Sequence, residues 1–277
     1  MKRVVITPSN TESNYWKDLR SYRGLFFYLA WRDVVVRYKQ TVIGVAWAVV
    51  RPALTIAVFW FLGWILGVPA EGAPRIVLVT AATLPWQFFA SAFGDASNSL
   101  IANANLLTKV YFPRILIPAS TLLVCLVDFF ISLSLLVIVM LVVGHPPQWK
   151  MLMFPLFLGL AAIAAFGAGL WLAALNVKYR DFRYIVPFIV QFGLYVSPVA
   201  FSSDLIYGHE GVPAWCKYLY ACNPMVGVID GFRWCVADQD FNFQLQPFFI
   251  SCAASVLMLF GGFWYFRKTE RSFADFI

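Results

Sequence analysis

The stretch ILIPASTLLVCLVDFFISLSLLVIVMLVV, residues 115–143, decides the fold. Asp128 is its only charge, and at about 1.5 Å per residue such a helix reaches roughly 43 Å, more than the ~30 Å hydrocarbon core of a bilayer. Working outward, comparable apolar runs cover 42–66, 76–100, 151–175, 184–199 and 248–266, with 184–199 kept short by Pro198. Breaker clusters join them at Gly67-Val68-Pro69 and Gly144-His145-Pro146-Pro147. The whole chain is 61% hydrophobic and 13% charged with a mean hydropathy of +0.74, against about a quarter charged in soluble proteins. That surplus of apolar surface has to face lipid, which excludes a soluble enzyme with one greasy anchor. The expectation is an all-α integral membrane protein with six transmembrane helices: residues 1–40 as a cytoplasmic N-terminus with an amphipathic interface helix, and 41–277 as the six-span transmembrane domain.

Lys and Arg set the orientation, because they collect on the cytoplasmic side. They crowd the region before Thr41 and recur as Lys109 and Arg114, as Lys178, Arg180 and Arg183, and as Arg267, Lys268 and Arg271. The alternate connections hold only Arg75, Lys150, Lys217 and Arg233. Both termini are therefore expected in the cytoplasm, and the net charge of +7 reads as a topology signal that calls for no nucleic acid. Residues 1–23 lack the apolar core and cleavage site of a secretory signal, so the first span is expected to direct insertion. Cys216 and Cys222 share one outer connection, where a disulfide is an open possibility.

Three segments carry further information. In 24–40, Phe27, Trp31, Val34, Val35 and Tyr38 share one helical face and Arg32, Asp33, Arg37, Lys39 and Gln40 fall on the other, the pattern of a helix lying in the cytoplasmic interface. Its bases either answer anionic lipid or meet a phosphate-bearing substrate through Arg32, Arg37, Tyr38 and Lys39. Within the spans Arg51, Asp95 and Asp128 are charged, and intramembrane charge marks pairing or a water-filled path. Gln87, Ser91, Asp95 and Asn98 form one polar stripe, and Thr121, Cys125, Asp128 and Ser132 a second. Similar heights along their spans predict an Arg51–Asp95 pair. Aromatic residues make up 18% of the chain. Trp60, Trp64, Trp86, Phe88 and Phe89 are candidates for lining a path, since sugar C–H faces stack on rings, with an ordinary interfacial belt as the alternative. Finally, 201–247 predicts two short half-helices, 212–220 and 224–236, the second capped by Asn223 and opened by Pro224. They are expected to re-enter the outer leaflet.

No catalytic constellation and no metal-ligand cluster emerges, and no GxxxxGK[ST] phosphate loop occurs, so ATP hydrolysis by that route is excluded for this chain. Without an internal repeat, six helices are too few to enclose a wide path, and a homodimer is the economical expectation.

Four ordered stretches then make the chain recognisable. They are Arg32-Asp33-Val34-Val35-Val36-Arg37-Tyr38-Lys39 with Ile43-Gly44, Trp47 and Pro52; Lys109-Val110-Tyr111-Phe112-Pro113-Arg114 with Ile117-Pro118; Leu175-Asn176-Val177-Lys178-Tyr179-Arg180-Asp181; and Ser197-Pro198 with Asn223-Pro224 and Arg233. In this order the chain resembles the permease subunit of type-2 ATP-binding-cassette exporters of lipid-linked polysaccharide, the group that serves O-antigen, teichoic acid and capsule export. The resemblance implies two copies forming the pore in the bacterial plasma (inner) membrane. It implies two separate ATPase subunits that hold the ATP and magnesium, and an undecaprenyl-diphosphate-linked glycan as cargo. It implies a coupling helix at 103–112 with Asn103, Asn105, Leu106, Leu107, Thr108, Lys109, Tyr111 and Phe112, beside Arg180 and Asp181 in the second inner loop. The interface helix would gate head-group entry, and the outer half-helices would close the exit. A type-2 permease for a small hydrophobic substrate stays open beside this reading. A membrane-embedded glycosyltransferase lacks an evident general base.

Overall fold

A computed structural model describes residues 15–39, 46–67, 72–110, 112–179, 181–238, 241, 243–270 and 273. The described chain is helical throughout: α1 (Tyr15–Ser21), α2 (Arg23–Lys39), α3 (Ala46–Ile65), α4 (Arg75–Ala102), α5 (Ala104–Lys109), α6 (Leu116–Val143), α7 (Phe154–Lys178), α8 (Phe182–Val196), α9 (Asp204–Tyr207), α10 (Ala214–Ala221), α11 (Pro224–Val236) and α12 (Leu245–Glu270). A short 3-10 turn, Trp149–Met153, leads into α7. Among the described residues five helices are long and apolar enough to cross a membrane, namely α3, α4, α6, α7 with its leading turn, and α12. The run expected at 184–199 forms α8, a helix of 15 residues.

The hub is α4. Its most apolar window is 78% buried, against 22% for α3 and α6 and 17% for α12, so α4 is wrapped by protein while the others present broad apolar faces outward. It packs against α6 on one side and α7 on the other, and α7 carries α12 on its far side. With lipid outside, helices gain little from hiding apolar surface and associate instead through close packing of small residues. Gly167 of α7 lies so close to α12 that a Cβ there would sit 2.5 Å from the Leu259 backbone nitrogen, and a Cβ at Gly262 would overlap the Gly167 carbonyl. No other residue fits at this crossing.

The helix ends follow local chemistry. Gly144 closes α6 in the left-handed conformation (φ 77°), which lets His145 N–H return to the Met140 carbonyl at 2.9 Å. Asn223 caps α11 by accepting from Met225 N–H at 3.0 Å, with Pro224 at the first helical position. The helices expected at 212–220 and 224–236 are thus present as α10 and α11, and they differ sharply in surroundings. Trp215, Tyr218 and Leu219 leave α10 exposed, whereas α11 is almost wholly buried against α4, α7 and α12, with Phe232 stacked on Phe154 at 4.6 Å. All five cysteines are free thiols, so the Cys216–Cys222 disulfide does not form.

At the opposite end of the bundle α12 is stapled to α6 and α1. Arg114 donates its backbone N–H to Glu270 Oε1 at 2.9 Å and its guanidinium to the Glu270 carbonyl at 2.5 Å, while Arg267 lies 3.5 Å from the centre of the Tyr15 ring. A second apolar cluster, including Leu29, Leu100, Phe112, Ile117 and Phe266, holds α2 and the α4–α6 connection to the bundle here. Burial first, then the Glu270 charge, raise the Tyr15 hydroxyl well above its usual range, outweighing the Arg267 contact that lowers it.

Candidate functional site

The expected interface helix is present, but its polar side faces the protein. Phe27, Tyr28, Trp31 and Val36 point outward, while Leu29 and Ala30 are buried and the same side carries the charged residues inward to α4 and α6. Arg32 contacts Asp33 and donates to the Asn103 side chain at 2.7 Å, tying α2 to the end of α4. One helical turn later Arg37 reaches between two spans. Its guanidinium bonds Asp95 of α4 at 2.5 Å and, with its other nitrogen, Asp128 of α6. Tyr38 donates to the second oxygen of Asp128.

This corrects the expected Arg51–Asp95 pair. Arg51 is exposed on α3, 6.0 Å from the Trp47 ring centre, and Asp95 takes its cation from α2. Height along a span does not decide which way a side chain points around it, and α2 supplies a guanidinium from outside the spans altogether. The two polar stripes meet at Cys125 and Asp95 and border one cavity. Cys125 donates to Asp95 at 3.5 Å, Gln87 to Thr55 at 3.3 Å across to α3, and Ser132 to the Ala48 carbonyl at 2.9 Å. Between them lies an open cavity of about 340 Å³, lined by Arg37, Tyr38, Trp47, Arg51, Gln87, Phe88, Ser91, Asp95, Asp128 and Ser132, among others. Its side-chain charges balance, two guanidiniums against two carboxylates. Burial works against the Arg37 charge, but Asp95 and Asp128 more than offset it, and the net effect raises its pKa. The residue therefore stays a cation, held between the two carboxylates.

Other candidates divide. Phe88 lines the cavity, but Trp86 and Phe89 are buried in the core: Trp86 wedges against Gly193 of α8 and Phe89 stacks on Phe93 at 5.8 Å. They cannot line a path in this arrangement, because α4 is surrounded by protein. Trp60 and Trp64 are exposed on the outer face of α3. Lys39 is exposed and outside the cluster. In the expected coupling segment α5 is a separate short helix. Asn105 and Lys109 are exposed, Leu106 and Leu107 pack half-buried into the second apolar cluster, and Phe112 is only 4% exposed, an internal anchor with no docking face. Asp181 is exposed, whereas Tyr111, Arg180 and the Thr108 side chain lie outside the described residues. Val110 and Tyr179 add exposed apolar surface at this end that the motif reading passed over. Among the described residues no cluster of three metal-ligating side chains occurs.

The comparisons with known proteins fit this geometry. Over 262 residues the chain is 26% identical to the O-antigen export system permease protein RfbA of Myxococcus xanthus, covering 94% of this chain and 98% of that protein. It is 26% identical over 247 residues to the protein of the same name from Klebsiella pneumoniae, covering 89% of this chain and 92% of that protein. A family model described as ABC-2 type transporter matches residues 24–236, a stretch running from α2 to the end of α11. With its apolar helices, its polar intramembrane cavity and a family match over most of its length, the chain belongs to the ABC-2 type transporter family.

Proposed function

We propose that this chain is the membrane-spanning permease subunit of an exporter that moves undecaprenyl-diphosphate-linked, O-antigen-like polysaccharide across the bacterial plasma membrane. The observation that carries the reading is the full-length similarity to permeases named for O-antigen export. The cavity supports it chemically: two guanidiniums, amide and hydroxyl groups and aromatic rings beside the α2 end suit a phosphate head group followed by sugar. Two copies form the conduit, a reading supported by the broad apolar faces that α3 and α8 leave exposed for a second copy to cover. In this reading α8 is the sixth span, both termini are cytoplasmic, and α10 and α11 re-enter from the outer side and close the exit. A separate ATPase, present twice, binds ATP and magnesium and docks where α5, Asn105, Lys109 and Asp181 are exposed. The test is affinity purification of the tagged chain from its native membrane. The reading expects a stoichiometric ATP-binding partner whose hydrolysis is stimulated by lipid-linked glycan. A partner-free chain that transfers sugar by itself would overturn it.

A further inference from the structure

At the α10–α11 end of the bundle an open cavity of about 330 Å³ lies between α9, α10 and the first turn of α12, apart from the Arg37 cavity. Tyr207, Lys217, Tyr218, Gln244, Gln246 and Ile250 contribute to its wall, and among the described residues no carboxylate lines it. Lys217 donates to the Tyr207 carbonyl at 2.6 Å, its one bond among the described residues. Two of the three donors of its ammonium are left for a ligand. Gln246 donates to the Tyr218 hydroxyl at 3.5 Å, so the hydroxyl keeps its own proton to donate. Gln244 gives its amide to Asp204 at 2.9 Å, and Asp204 itself does not line the cavity. The lining therefore carries one net positive charge.

The apolar surroundings narrow the kind of anion that fits. Trp215 and Leu219 are exposed beside the cavity on α10. From its edge Leu245 and Phe249 begin a strip of exposed side chains that continues along α12 through Val256, Leu257 and Phe260. Counted from Phe249, the last three stand at offsets of 7, 8 and 11, which keeps them on one helical face. Trp and Tyr at the head of such a strip mark the head-group level of a bilayer. A cation at that level meets lipid phosphates while the strip meets acyl chains.

We propose that this cavity binds an anionic phospholipid, with the phosphodiester on Lys217 and Tyr218 and the acyl chains along the exposed face of α12. The topology under Proposed function puts the lipid in the outer leaflet, and binding itself does not depend on that assignment. The charges match one to one, because a phosphodiester brings a single negative charge to a single ammonium. A glycerol head group adds hydroxyls within the reach of the Gln246 amide and no further charge. Phosphatidylethanolamine carries the same phosphate but adds an ammonium, which Lys217 repels and no described carboxylate of the lining receives. Free phosphate meets Lys217 equally well and gains nothing from the strip, so the acyl chains separate a lipid from a bare anion. Because α10 is largely exposed, a lipid held between it and α12 completes its seat.

The site is tested by native mass spectrometry of the purified full-length chain, titrated separately with phosphatidylglycerol, phosphatidylethanolamine and inorganic phosphate. Wild type is expected to retain phosphatidylglycerol in preference to the other two. Lys217→Gln is expected to weaken that binding about tenfold or more, the scale of one charge-assisted hydrogen bond. Lys150→Gln removes the same charge at the same end of the bundle, away from the cavity, and is expected to leave it unchanged. Ala214→Phe fills the cavity from an exposed position without altering charge, and is expected to displace the lipid. Equal losses in the two lysine variants, or full binding in Ala214→Phe, would reduce the effect to general surface charge and overturn the site. A wild type that holds phosphatidylethanolamine or free phosphate as well as phosphatidylglycerol overturns it too. None of these results bears on the permease reading, which the ATPase partner tests on its own.

Discussion

Removing the Arg37 side chain strands two carboxylates, and the cost can be worked from their surroundings. Breaking a buried ion pair costs about 3–5 kcal/mol and an exposed one about 0.2–1 kcal/mol. Arg37 is 34% exposed, Asp95 37% and Asp128 26%, which places the pair of contacts between those limits. Arg37→Ala is therefore expected to destabilise the purified permease by about 2 kcal/mol, seen as a fall of several degrees in the melting temperature in detergent. The origin of the loss is specific, and a second step exposes it. With both aspartates changed to asparagine in the same chain, no carboxylate is left stranded without its cation, and all but about 1 kcal/mol, the worth of the lost hydrogen bonds, should return. Arg51→Ala, whose guanidinium leans on Trp47, should change stability by less than about 0.5 kcal/mol. Equal losses for Arg37→Ala and Arg51→Ala, or no recovery in the triple variant, would refute the clamp geometry.

At the α7–α12 crossing, Gly262→Val places carbon where the Gly167 carbonyl lies, and it should cost more than about 3 kcal/mol and sharply reduce the yield of monodisperse protein. Asp230 of α11 is pushed up from 3.8 to about 6, chiefly by burial and further by Asp204, against the lowering effects of Ser203 and Arg233. Because the folded-state pKa lies above the unfolded one, the ionised form is the penalised one, so stability should rise by up to about 3 kcal/mol as pH falls from 7 through 6 to 4. Asp230→Asn should flatten that slope in thermal melts. Cys222 is exposed and Cys125 and Cys235 are buried, so a membrane-impermeant maleimide added to intact cells should label Cys222 and leave the other two unmodified; labelling that requires opened cells would place the α10–α11 end on the cytoplasmic side.

Much of the fold could be read from the chain because it depends on local quantities. The length of 115–143 forces a spanning helix, Gly144 ends it, and Asn223-Pro224 starts α11 with the cap those residues favour. The site was visible only in part. Asp95 and Asp128 stand out as charges in apolar runs, and their stripes do face each other. Their partner does not stand out, because Arg37 belongs to a helix whose outward aromatics, Phe27 and Trp31, read as an interface anchor and hide that Leu29 and Ala30 are the buried side. The spacing of Leu29, Asp33 and Arg37, one residue per turn, was the available signal. Aromatic content misled for a related reason. Composition cannot separate a ring that lines a path from one packed in a hub helix, and Trp86 and Phe89 belong to the hub. Phe112 likewise stands in a docking motif yet serves as an internal anchor.

The central claim, that this permease carries a lipid-linked polysaccharide outward, is tested most directly by deleting its gene in the native bacterium and locating the polymer. The account predicts undecaprenyl-linked polysaccharide trapped at the cytoplasmic face and absent from the surface, with surface display restored by the wild-type chain. Undiminished polysaccharide at the surface of the deletion strain would contradict it.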